Sequence, residues 1–173
     1  MHKHYKKISG EFALKKIILV CLIAVITVFC TSCSESVKIP EIRVSVEDNA
    51  VVTIKNTEYQ CHISYVNGTT SSVTFSSPEN LKNITFGKSE NEQYVSLGKL
   101  ICKSKNFDFS EDCVFNQIIN AFSALKQDNI KFLSKQNDLY MFTLKSEPVC
   151  KFFTDENGNI KSLVNNSLKI KFE

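Results

Sequence analysis

Cysteine and histidine are the side chains of this 173-residue chain best suited to chemistry, and their spacing limits what that chemistry is. Four of the seven cysteines, Cys61, Cys102, Cys113 and Cys150, lie in the body of the chain. No two of them are separated by the two to four residues that paired zinc ligands use. His62 adjoins Cys61, but neighbours on a strand point to opposite faces, so the two do not share a metal and His62 reads as solvated. An even count permits two disulfides in three pairings; small buried core thiols are the other reading. Cys113 falls near an expected helix N-terminus, opposite its apolar stripe, where a thiolate is favoured. Asp108, Glu111 and Asp112 cluster, and the same helix start accounts for them. No serine sits in a glycine-flanked nucleophile elbow, and five glycines form no phosphate-cradling loop. The expectation is a protein that is not an enzyme and carries no metal or cofactor.

The remaining thiols stand elsewhere. In "KKIILVCLIAVITVFCTSCSES", Lys15 and Lys16 precede an apolar run from Ile17 to Cys30, and polar residues follow at once. Fourteen helical residues span about 21 Å, short of the ~30 Å hydrocarbon core. A basic start, an apolar stretch of this length and small residues after it describe an export signal. Cleavage after Ser32 leaves Cys33 as the new N-terminus, with small Thr31 and Ser32 suited to a peptidase pocket. This stretch resembles the lipobox of bacterial lipoproteins, with Cys30 standing where leucine is usual. The resemblance implies that the Cys33 thiol takes a diacylglycerol and that the mature chain is held at the extracytoplasmic face of the cell membrane. Residues 1–32 are then the signal peptide, 33–41 a lipidated N-terminus with a short tether, and 42–173 a single domain.

Removing the leader changes the charge. Of 21 basic residues, Lys3, Lys6, Lys7, Lys15 and Lys16 are lost; of 18 acids, only Glu11. The mature chain is near −1, and Arg43 is its only arginine. Such a surface lacks the basic stripe of a nucleic-acid binder. The lysine- and asparagine-rich, arginine-poor usage suits an AT-rich genome, as in low-GC Gram-positive bacteria. The tether "SESVKIPE" reaches at most about 28 Å, which keeps the folded part close to the bilayer.

From Glu41 the dominant period is two. Ile42, Val44 and Val46 alternate with polar residues, break at "EDN" and resume with Val52 and Ile54, which reads as a hairpin. Tyr59, Cys61, Ile63 and Tyr65 share one strand face; after the turn signal "NGTT", Val73 and Phe75 point inward until Pro78. Further strands are expected at 84–86, 93–102, 131–134, 139–145, 149–154 and 160–164. In a last strand Leu168, Ile170 and Phe172 face one way. One segment departs from this pattern. "SEDCVFNQIINAFSALKQDN" offers Ser110 as an N-cap, then Val114, Ile118, Ala121, Phe122 and Leu125 on a broad apolar stripe flanked by Phe115 and Ile119. The fold class is therefore mainly β (α+β). One amphipathic helix packs on a curved antiparallel sheet or in the mouth of an unclosed β-barrel.

The order "VTFSSPENLKNITF", "YVSLGKLICKS", one amphipathic helix, "LYMFTL", "TDENGNIKSL" and a last alternating strand is similar to the LolA/LolB-like lipoprotein-carrier superfamily, in particular to small lipid-anchored members of low-GC Gram-positive bacteria. It covers most of residues 59–172. Asn83 stands where such chains often carry glycine, and Lys161 where proline commonly precedes the next strand. The resemblance implies an unclosed barrel with a helical lid and an apolar interior able to hold acyl chains. Placed in that interior are Tyr59, Cys61, Ile63, Tyr65, Val73 and Phe75, covered by Val114, Ile118, Phe122 and Leu125. Two functions follow: a membrane-anchored module that binds a lipid or other apolar ligand between sheet and helix, or a non-catalytic structural or interaction lipoprotein with a filled core that acts through its surface.

Overall fold

A computed structural model describes residues 37–66, 69–90, 92–105, 108–125, 129–145 and 149–173. Cys33 and Ser32 lie outside them, as do Asn67 and Gly68 of the expected turn. Lys38–Glu173 is one compact unit.

The strands are β1 (Val46–Ile54), β2 (Thr57–Val66), β3 (Thr70–Ser77), β4 (Ile84–Lys88), β5 (Gln93–Leu97), β6 (Leu100–Ser104), β7 (Ile130–Gln136), β8 (Leu139–Leu144), β9 (Lys151–Thr154), β10 (Ile160–Val164) and β11 (Leu168–Phe172). They form one antiparallel sheet in the order β6-β5-β4-β3-β2-β1-β11-β10-β9-β8-β7. The first and last strands pair at its centre, Ala50 opposite Phe172 and Ile54 opposite Leu168. The two edges, β6 and β7, do not pair, so the curved sheet is an unclosed barrel. The helix α1 (Val114–Ser123) lies between those edge strands in the chain. Its apolar stripe turns onto the sheet, with Phe115, Ile118, Ile119, Ala121 and Phe122 buried.

Period two explains the core. Inward positions of the long strands, Ala50, Val52 and Ile54, then Cys61, Ile63 and Tyr65, then Val73 and Phe75, are buried. The second half adds Tyr140, Phe142, Leu144, Phe152, Leu163 and Ile170. A bulge between Ile160 and Ser162 restores register with β9. One extra residue there lets both Ile160 and Leu163 point inward, at a spacing strict alternation forbids.

Three expectations change. No hairpin breaks at "EDN": β1 runs straight through Glu47, Asp48 and Asn49, which pair with Ser64, Ile63 and His62. The turn comes later, at Lys55 and Asn56 (φ +48° and +69°), as a two-residue hairpin with twist-matching geometry requires. The stretch 93–102 is a hairpin rather than one strand, folded back at Gly98 with φ +59°. Ser110 does not cap the helix, which begins at Val114 with Cys113 at the N-cap and no side-chain cap. Ser110 Oγ instead accepts from the Asp112 backbone N–H at 3.4 Å in the preceding turn. Consequently Cys113 is half-buried against the core and not on the helix's outer face.

Asn83, the departure from glycine, has φ +63°. Asparagine tolerates this left-handed conformation better than other side chains, and its backbone N–H donates to Phe75 O at 2.7 Å.

Candidate functional site

The ten positions expected to line an interior come together in one core where the helix meets the sheet. Cys61, Ile63, Tyr65, Val73, Phe75, Ile118, Phe122 and Leu125 are buried, while Tyr59 and Val114 are half-buried at the margin. They pack against one another: the Tyr65 ring stacks on Phe122 at 5.3 Å, and Tyr59 meets Phe75 edge-on at 5.9 Å. Phe122 in turn contacts Phe172 at 6.1 Å. The Tyr65 hydroxyl sits 3.4 Å from Ser123 Oγ, fastening the end of α1 to β2. At the other end Phe86, Phe109 and Phe115 form an aromatic cluster with edge-on contacts at 5.4 and 5.2 Å. Aromatic pairs of this kind add about 0.5–1.5 kcal/mol beyond their area burial.

Space opens at the flank of α1 instead. Gln117, Asn120, Ala121 and Ala124 of the helix face Leu144, Cys150, Asn165, Ser167 and Leu168 across a cleft of about 250 Å³. Its walls are apolar where Ala121, Ala124, Leu144 and Leu168 meet, and its rim carries amides. The alanines make the room, because a methyl group leaves unfilled what a leucine at either position would occupy. Asn165 shapes the far rim: its Oδ1 accepts from the backbone N–H groups of Ser167 and Leu168 at 2.9 and 2.8 Å. Alternation and the helical stripe put Leu168 and Ala121 on apolar faces, but nothing in the sequence grouped these residues as a site. The signal was Ala121 and Ala124, three apart on the buried side of a helix otherwise built from large apolar residues.

Cys150 is the sole thiol lining this cleft, and burial pushes it up to about 11 against a hydrogen bond from the Val164 backbone. At that value the Cys150 thiol stays protonated near neutral pH. Cys61, deeper in the core, is pushed up to about 12 by burial. The four described cysteines are free thiols. His62 lies on the outer face, with Nδ1 3.1 Å from Asn49 Oδ1. Among the described residues no group of three or more His, Cys, Asp or Glu side chains is arranged to hold a metal, and no helix is long and apolar enough to cross a membrane.

A second cleft, about 330 Å³, lies where residues 39–42 cross Ile130, Phe132 and Phe142. Here the chain is strapped to the sheet. The Arg43 backbone N–H donates to Gly158 O at 3.0 Å, and Gly158, at φ +80°, faces the Glu41 carbonyl so closely that a side chain would overlap it. The adjoining turn is held by Asp155. Burial alone would raise its carboxyl, but hydrogen bonds from the Asn159 side chain and backbone and the Asn157 backbone, with the Lys161 charge, keep it below the ordinary range.

No family model matches the chain, and no curated protein matches it. Solved structures similar to it include an uncharacterized conserved protein from Thermus thermophilus, at 11% identity and a TM-score of 0.45, covering 74% of this chain and 76% of that one. Another is described as an outer membrane lipoprotein-sorting protein domain from Vibrio parahaemolyticus, at 12% identity and a TM-score of 0.32, covering 73% and 82%. Likenesses of this size say nothing about activity.

Proposed function

We propose that this chain is a non-catalytic envelope lipoprotein, anchored through Cys33 after cleavage behind Ser32, that binds a slim apolar ligand such as an acyl chain beside helix α1. The observation that carries the ligand reading is the apolar cleft between the helix flank and the sheet, rimmed by Gln117, Asn120 and Asn165. Its 250 Å³ falls just under the ~300–1,000 Å³ typical of small-molecule sites. That size suits part of a chain better than a bulky ring system. Each methylene taken from water contributes about 0.8 kcal/mol, and the amide rim can hydrogen-bond a carboxyl or ester head left at the mouth. The centre of the half-barrel is already occupied by side chains, so the ligand would lie at the edge of the helix rather than beneath it.

The test fills the cleft. Ala124→Phe, at a half-buried position on the helix end, should weaken binding of a fluorescent fatty-acid probe at least about ten-fold, the loss of ~1.4 kcal/mol, with an unchanged melting temperature. Native mass spectrometry of the parent protein should show co-purifying lipid that the variant lacks. The buried, mutually packed inner face favours a second reading, a filled domain acting through its surface. Parent protein free of lipid and indifferent to the probe would establish that reading and exclude the first.

A further inference from the structure

The tip of the β5–β6 hairpin is apolar and uncovered among the described residues. Leu97, Leu100 and Ile101 are 51%, 75% and 64% exposed, the last two being the most exposed large apolar side chains described. Leu97 pairs with Leu100 and Ser96 with Ile101. Alternation therefore puts the two leucines on the face shared by Val95, which packs on the core, and Ile101 on the opposite face. A β-carbon on Gly98, at the apex, would meet no atom within 4 Å, so the tip stands clear. A strand ribbon that buries one face against a protein partner needs apolar residues on that face alone. A tip apolar on both faces fits a medium that is apolar all round.

Lysines border these residues. Lys99 is at the apex, Lys103 follows on β6 and Lys105 comes just past its end; Lys103 also contacts Glu92 at 3.0 Å. Lys103 lies three residues past Leu100, about 10 Å along a strand, which is the depth to which interfacial segments sink their apolar side chains, ~5–10 Å. The Lys99 stem can run back to the phosphate layer while its neighbours go deeper. The five steps of chain from Cys33 to Lys38 reach at most about 18 Å.

We infer that the tip of the β5–β6 hairpin dips into the membrane interface, with Leu97, Leu100 and Ile101 at the acyl boundary and Lys99 and Lys103 at the level of anionic headgroups. The inference rests on the anchoring proposed above. It gives the domain a second membrane contact, on the edge of the sheet from which the chain departs toward α1.

The chain has no tryptophan, so one introduced residue reports alone. The processed full chain carrying Leu100→Trp is reconstituted into phosphatidylglycerol–phosphatidylcholine vesicles with brominated acyl chains, beside Leu139→Trp, an exposed leucine at the β7–β8 turn. The expected result is a blue-shifted emission at position 100, quenched by bromolipid at least about two-fold more than at position 139, as for a residue sunk into the acyl boundary. Flotation of the same vesicles reads the anchor separately. Protein that floats but is quenched equally by aqueous iodide at both positions overturns the hairpin contact and leaves the anchor standing. Protein that stays off the vesicles overturns both. A blue shift without bromolipid quenching, growing with the protein-to-lipid ratio, assigns the tip to a second copy of the chain and also overturns the proposal.

Discussion

Cys61 and Cys150 face the core, and burial raises both thiols, to about 12 and about 11. Cys102, on the edge strand, is exposed. Thiolate is the reactive form, so at pH 8 iodoacetamide should modify Cys102 in the folded protein while Cys61 and Cys150 react only after unfolding. Peptide mapping of a timed alkylation checks this, and equal rates at Cys61 and Cys102 would contradict the packing. The same burial sets an alkaline limit. Below the ordinary thiol value of 9.0 both states hold the proton and stability is unaffected by Cys61. Between 9.0 and about 12 the unfolded chain releases it and the folded one does not, so stability falls as pH rises through that window. Denaturant midpoints for Cys61→Ala should fall less steeply above pH 9 than those of the parent. Periodicity placed Cys61 on the inner face in advance. The half-buried state of Cys113 was not legible, because it depends on where α1 starts, and a helix begun one turn later rotates every assignment upstream of it.

At the scale of elements, α1 is held by the sheet rather than by its own ends. It has ten residues and no side-chain N-cap, and isolated helices under about 12–15 residues are marginal in water. Its anchor is Phe122, seated between Tyr65 and Phe172. Phe122→Ala should therefore cost about 3–5 kcal/mol, read as a lowered urea midpoint with loss of helical circular dichroism. A cost under 1 kcal/mol would mean that the helix is not docked as described. The β1 region shows how a local signal misleads. "EDN" is a turn cluster by composition, yet the β2 ladder continues past it from Val46 to Ile54, because nine paired residues outweigh three with poor strand propensity. The real turn carries Lys55 and Asn56, and lysine at positive φ has no compositional signature.

For the whole molecule, pairing of β1 with β11 brings the two ends of the folded unit together at the centre of the sheet and leaves β6 and β7 as rims. Near the entry to β1 the chain is strapped at Gly158, so the proposed anchor at Cys33 would hold the domain by a few residues only. Cys33→Ser should abolish incorporation of radiolabelled palmitate and leave a longer polypeptide with its leader attached. Label persisting in that variant would move the acylation elsewhere and undo the proposed placement at the membrane.

Period-two alternation and one stripe of period 3.6 were enough to determine a mainly β fold with a single helix packed on the sheet. Burial follows directly from which side chains share a face, and that is a property of local order along the chain. Whether the sheet closes, which strands become rims, and whether the interior is empty depended on contacts between residues far apart. Side-chain volumes compete for the same space only after β1 meets β11 and the helix packs on the sheet. That competition filled the centre with Phe75, Phe122 and Tyr65 and left the room beside Ala121 and Ala124.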